Sequence, residues 1–273
     1  MGTALVTGAT SGIGLELVWQ LAAARHDLVL VARDHQRLAV LAEDLHQVAG
    51  VGAQVLPADL STAQGRQKVA QRLLRTEATG ARSARGPRTA QEVARRPVDL
   101  LVNNAGFGLG QAFVGGDVDR ERRALEVMVG AVMELSHAAL PGMVERGHGA
   151  VLNIASLASL TAMGTYAAHK AWVRTFTEGL ATELKGTGVS ATVVCPGLTR
   201  TEFHERAHME DVWPSLVWTD SQEVARQALD AVRRGQVICT PTLRYQAAAA
   251  LLRLSPRWLV RRVAGHASSA TRY

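Results

Sequence analysis

Thr3-Ala4-Leu5-Val6-Thr7-Gly8-Ala9-Thr10-Ser11-Gly12-Ile13-Gly14 joins a short apolar run to a glycine turn, and Leu15, Leu17, Val18, Leu21 and Ala22 then continue at helical spacing. Strand, glycine turn and helix in that order form the context a dinucleotide site requires. Gly8 permits the tight turn, Gly12 lets backbone approach a pyrophosphate, and Gly14 lets the helix pack on the strand. The helix start then turns free N–H groups and the positive end of its dipole toward the phosphates. An ordinary glycine-rich strand-to-helix turn would share these glycines, so the rest of the chain has to decide.

Outward from this turn, the pattern predicts strands at Thr3–Thr7, Asp27–Ala32, Ala53–Leu56, Val98–Val102, Ala150–Ala155, Val189–Cys195 and Gln236–Thr240. Helical patterns fill the gaps, so the alternation is βαβ, the class α/β and the sheet parallel. Right-handed crossovers and a reversal of strand order leave a crevice at the strands' C-terminal ends. Gly8, Ala32, Asp59, Asn103, Ser156 and Pro196 all fall at or just beyond those ends, on one edge. A chain of 273 residues with 47% hydrophobic content accommodates one such domain and its core. No long apolar run reads as a membrane span, and the first strand begins too early for a signal peptide to precede it. Cys195 and Cys239 give neither a disulfide framework nor metal spacing, so a reduced, cytoplasmic protein without a metal site is expected.

Tyr166-Ala-Ala-His-Lys170 carries the chemistry. Tyrosines number 3, and Lys68, Lys170 and Lys185 are the only lysines in an arginine-rich chain. One of each stands four apart, on one helix face. A phenol with a pKa of about 10 is a poor acid–base group at neutral pH, and an ammonium beside it would lower that value. A solvated helix face explains an isolated pair equally well.

Taken in order, Thr7-Gly8-x-x-x-Gly12-x-Gly14, Asn103-Asn104-Ala105-Gly106, Ser156, Tyr166-x-x-x-Lys170 and Pro196-Gly197 resemble the short-chain dehydrogenase/reductase family over residues 3 to about 240. The resemblance implies a single Rossmann-type doubly wound domain and an NAD(P)-dependent interconversion of carbonyl and alcohol. It implies Tyr166 as acid/base, Lys170 lowering its pKa and holding the nicotinamide ribose, and Ser156 bonding the carbonyl. It further implies nucleotide contacts from Gly8, Thr10, Ser11, Gly12, Ile13, Gly14, Asp59, Leu60, Asn104, Ala105, Gly106, Tyr166, Lys170, Pro196, Gly197 and Thr199 or Thr201, with Asn103 structural. Where NAD-dependent relatives carry an acid at the end of the second strand, this chain has Ala32 and then Arg33. A guanidinium there can pair with a 2′-phosphate, which implies NADP(H), unless Arg33 faces solvent and Asp34 turns inward. Subunit contacts through residues 120–146 and 164–185 imply a homodimer or homotetramer.

Three departures bear on activity. Met128 takes the place of the helical asparagine that holds a proton-relay water, and a thioether is at best a weak acceptor. The link from Ser156 to Tyr166 is shortened within Leu157–Thr165; a loss of about three residues approximates one helical turn, and Ser159 is the substitute if Ser156 fails to reach. His169 replaces a serine, either as a group that titrates near neutrality or as a packing or interface residue. The resulting expectation is an NADP(H)-dependent oxidoreductase for an apolar carbonyl or alcohol. The alternatives are a catalytically weakened NADP(H)-binding regulator or scaffold, and a reductase docking an acidic acyl carrier, for which no signature is present.

Two segments stand outside the main domain, 1–241. Residues 76–97 look like an insertion with Arg82, Arg85, Arg88, Arg95 and Arg96, a solvated loop or a contact for an acidic surface. Residues 242–273 form a basic amphipathic tail in which Arg253, Arg257 and Arg261 recur every four residues beside an apolar face. It packs on the domain or a neighbouring subunit, or lies at a membrane surface. The net charge of +6 comes largely from these segments, yet no recognition motif points to nucleic acid. The stretch after Pro196-Gly197 to Trp218, with His204, His208, Met209 and Trp213, is expected to cover the substrate; its histidines are read as surface residues.

Overall fold

Apolar runs buried on both sides become the strands of one parallel sheet. The computed structural model describes residues 2–75, 88–199 and 218–264. In chain order these hold β1 (Thr3–Thr7), α1 (Gly12–Ala23), β2 (Asp27–Ala32), α2 (His35–Asp44), β3 (Ala53–Pro57), α3 (Ala63–Leu73), α4 (Ala90–Arg95) and β4 (Leu100–Asn103). They continue with α5 (Val118–Leu125), a π-helical turn (Glu126–Gly130), α6 (Ala131–Glu145), β5 (Gly149–Ile154), a 3₁₀ turn (Leu157–Leu160), α7 (Gly164–Glu183) and β6 (Val189–Val194). Ser221–Arg233 (α8), Ile238–Cys239 (β7), Leu243–Leu254 (α9) and Arg257–Val263 (α10) complete the described chain. The strand order is β3-β2-β1-β4-β5-β6-β7, all parallel.

Successive side chains of a strand point to opposite faces, and both faces here are dry. Ala4, Val6, Leu28 and Leu30 enter the core under α1, α2 and α8, while Leu5, Val29 and Val31 enter the one under α3 and α6. That is why the strands read as continuous apolar runs rather than alternating ones. The order reverses between β1 and β4, so a crevice opens at their C-terminal ends. The seven sequence-derived strands all occur: β1 and β2 coincide at both ends, and no end of the other five is shifted by more than two residues.

Both peripheral segments differ from expectation. Within 76–97, residues 88–97 are built into the domain, and Arg82 and Arg85 lie outside the described residues. Thr89 and Glu92 form a reciprocal capping box that starts α4. Arg88 and Arg96 both pair with Asp27 at the start of β2, and Arg72 donates from Nη2 to Val93 O and Arg96 O at 2.9 Å each. Of the described arginines in this segment, Arg95 is exposed while these two serve the fold.

The tail is not one striped helix. Ser255-Pro256 separates α9 from α10, because proline lacks the N–H that would continue α9. The period of four in the arginines therefore crosses a break. Entry to α9 is strained: Thr242 has φ +68°, a conformation that β-branched residues seldom adopt.

Candidate active site

The glycine turn is closed by β4. Gly8 and Gly12 have φ of +66° and +52°. A Cβ on Gly14 would lie 2.2 Å from Gly8 O and 2.4 Å from Asn104 Nδ2, so helix, turn and β4 meet with no room for a side chain. Ser11 precedes α1 in an extended conformation, and its hydroxyl makes no capping bond. The first N–H groups of α1, at Gly12, Ile13 and Gly14, have no partner within the helix. This fits a pyrophosphate. Thr10 contributes its carbonyl to Arg37 Nη2 at 2.8 Å.

Thr7 and Asn104 form the clasp. Backbone N–H groups of Asn104 and Ala105 donate to Thr7 Oγ1 at 2.9 and 3.1 Å, and Asn104 Nδ2 donates to Thr7 O and Gly8 O at 3.0 and 3.3 Å. The Asn104 amide is thus spent on the turn rather than presented outward. Asn103 is buried and donates to Asn153 Oδ1 and Ser136 Oγ.

At the end of β2, Arg33 is exposed beyond Ala32, with no ion pair among the described residues. Asp34 instead caps α2, accepting from Arg37 N at 3.1 Å, and so does not turn into the crevice. Asp59 holds Ser61 through its N–H and hydroxyl at 2.9 and 2.8 Å. Leu60 is a core side chain that can offer only backbone.

Tyr166, Lys170 and Ser156 converge on the crevice. Tyr166 packs against Leu109, Ala124 and Met128, and Ser156 lies near enough to its phenol to act on its pKa. Ser156, not Ser159, therefore meets the tyrosine across the shortened link. Burial pushes the phenol up to about 12, and Ser156 opposes this. The lowering expected from Lys170 does not prevail. Its ammonium lies 5.8 Å from the ring centroid and donates to Ile154 O at 2.8 Å, while burial brings its own pKa down to about 8.

Met128 sits beside that lysine: a Cβ on Gly106 would be 3.4 Å from Lys170 Nζ and 3.6 Å from Met128 Sδ. The π-helical turn that carries Met128 interrupts what the sequence presents as one helix; such turns recur at functional sites. His169 is buried, with Nδ1 lacking a hydrogen-bond partner. Burial holds its pKa below the ordinary value, Lys170 adds to this, and Glu121 opposes both. Burial therefore favours the neutral imidazole.

The tail completes this site, a role carried by residues that carry no motif in the sequence. Tyr245 of α9 lies over Gly197, where a Cβ would come 2.1 Å from its ring, and its hydroxyl accepts from Leu198 N at 3.1 Å. Arg257 Nη1 donates to Leu160 O at 3.1 Å and Ala162 N donates to Ala264 O at 3.2 Å, so the helices rest on the link between Ser156 and Tyr166. The scarcity of tyrosine was a signal for Tyr245, but its partner lies 47 residues away. Pro196 O accepts from Leu157 N at 2.8 Å, and Thr199 is buried with its hydroxyl on Gly197 O. Thr201 and the segment expected to cover the substrate, with His204, His208, Met209 and Trp213, lie outside the described residues. Among the described residues no group of three His, Cys, Asp or Glu side chains is placed to hold a metal.

Residues 2–79 and 83–211 match the family described as short chain dehydrogenase. Sulfoacetaldehyde reductase 2 of Chromohalobacter salexigens is 34% identical over 230 residues, covering 82% of this chain and 79% of that protein. A short-chain dehydrogenase from Sphingobium yanoikuyae, solved in complex with NADPH, is 31% identical with a TM-score of 0.79, covering 100% of both chains. The bulky-bulky ketone specific alcohol dehydrogenase from Comamonas testosteroni is 29% identical with a TM-score of 0.75, covering 94% of this chain and 96% of its own.

Proposed function

Because the chain belongs to the short-chain dehydrogenase family, we propose that it reduces the carbonyl of an apolar small molecule with NADPH, using Tyr166 as the proton donor. It is an oxidoreductase of alcohol and carbonyl groups that takes a nicotinamide cofactor. The nicotinamide supplies the hydride. The glycine turn with Ser11 and the start of α1 would hold the pyrophosphate, Asp59 with the backbone of Leu60 the adenine end, Lys170 the nicotinamide ribose, and the Asn104–Gly106 and Pro196–Thr199 loops would flank it. The NADPH complex of the solved relative supports NADP(H), as does exposed Arg33 with no acid turned inward beside it.

The reductive direction is supported by the burial of the Tyr166 phenol beside Ser156, which pushes its pKa up to about 12, so that it keeps its proton at neutral pH. A carbonyl oxygen lodged between Ser156 and Tyr166 would receive that proton as negative charge develops on it. Leu109 and Met128 beside the phenol support an apolar substrate, and the name of the Comamonas relative supports a ketone. Both cysteines are free and buried, and we read the activity as cytoplasmic. Exposed Leu125 and Met133 on the α5–α6 face support a homodimer or homotetramer, testable by the mass in solution.

Two variants test the reading. Tyr166→Phe should lose about 10²–10⁴ in turnover with NADPH affinity retained. Arg33→Ala should lose affinity for NADPH far more than for NADH. The competing reading, an NADP(H)-binding regulator, rests on Met128 beside Lys170. NADPH binding with no turnover across a broad panel of ketones and aldehydes would decide for it.

A further inference from the structure

Helices α9 and α10 turn apolar residues toward solvent. On α9 the inward stripe is Tyr245, Ala249 and half-buried Leu252. The outward stripe at helical spacing is Leu243, Ala247, Ala250, Leu251 and Leu254, all exposed, with Leu243 at 81% and Leu254 at 85%. A surface helix ordinarily places polar residues on that side. Beyond Pro256 the pattern continues: Val260 is buried while Trp258, Leu259 and Val263 are exposed.

Charge identifies what can cover this face. Arg253, Arg257, Arg261 and Arg262 are exposed beside the apolar residues, and no Asp or Glu comes after Asp230 in the chain. A second copy placed face to face would set arginines against arginines with no tail carboxylate to neutralise them. The occupant must be apolar and negatively charged. We propose that α9 and α10 seat the protein on an anionic phospholipid surface, with the leucines and Trp258 at the boundary of the acyl chains and the arginines among the headgroups. Tryptophan favours that depth.

The helices that carry this face adjoin the crevice with their inner side, where Arg257 and Ala264 bond the link between Ser156 and Tyr166. An apolar carbonyl compound dissolved in the bilayer would then reach the site without crossing water. That consequence rests on the reductase reading; lipid binding does not.

The test is co-sedimentation of the full chain with phosphatidylcholine vesicles made with or without phosphatidylglycerol. The chain should bind the anionic vesicles and release them as salt is added. Replacing Arg261 and Arg262 together by Gln should weaken binding about twenty-five-fold, about fivefold per charge. Leu254→Asp should weaken it as well. Each side chain is exposed, so NADPH affinity and the unfolding transition should stay at wild-type values and certify the variants as folded. Absence of binding, equal binding to both vesicles, or wild-type binding by folded variants would overturn the proposal. So would self-association abolished by Leu254→Asp in a chain that ignores vesicles, because a second copy would then own the face.

Discussion

At Lys170 two demands oppose each other. Lys170 is only 5% exposed, and burial brings its pKa down to about 8, yet the proposed mechanism needs its charge near the phenol and the ribose. At pH 7 it remains mostly protonated, while Tyr166, at about 12, is protonated throughout the working range. Carbonyl reduction should therefore fall as pH rises through about 8, tracking loss of the lysine proton rather than the tyrosine's. Alcohol oxidation, which needs the phenolate, should gain with pH over the same interval. Initial rates in both directions measure this, and an alkaline limb unchanged in Lys170→Arg would assign it elsewhere.

Met128, 1% exposed, occupies the space beside the same lysine. Exchanging it for asparagine offers Lys170 a hydrogen-bonding neighbour. Met128→Asn should raise turnover with NADPH affinity unchanged, and the gain should vanish in a Tyr166→Phe background. Burying an amide costs roughly 1–3 kcal/mol when it is left unpaired, so a melting curve must accompany the rates. A stable variant with no gain would mean that proton exchange at Lys170 does not limit the enzyme.

Among the elements, α9 and α10 carry the largest revision. In the sequence they read as a tail that packs on the domain or a neighbouring subunit, or lies at a membrane surface, without being needed for the fold; in place they hold Gly197, Leu198, Leu160 and Ala162. The helices rest on the link between Ser156 and Tyr166, and α9 holds the strained Thr242 at its own start. Truncation after Thr242 should lower the midpoint of unfolding and reduce turnover more than NADPH affinity, because the turn at α1 is remote from the tail. A truncated chain with wild-type rates would assign the helices no part in shaping the site. The sequence could not disclose this, since a helix displays its own faces but not the loop it will cover. Thr89-x-x-Glu92, by contrast, was a legible helix start within a segment read as loop. The π-helical turn escaped detection because one added residue merely shifts an apolar stripe that stays apolar.

For the whole molecule, the sheet was legible because a strand buried on both faces declares itself by composition alone, and the glycine turn fixed which edge would bind. What remained hidden was the clasp between Thr7, Gly8 and Asn104, whose partners lie 96 and 97 residues apart. Its position has a consequence for the order of events during synthesis. A ribosome that has released the glycine turn has made the cradle's floor but not its wall, because β4 is still to be translated. The nicotinamide nucleotide has no finished seat on the emerging N-terminal half and cannot guide its folding. The nucleotide instead acts on the completed sheet, binding the native state and drawing the population toward it. A cell short of the nicotinamide cofactor should thus make the protein at the usual rate and lose it faster afterward.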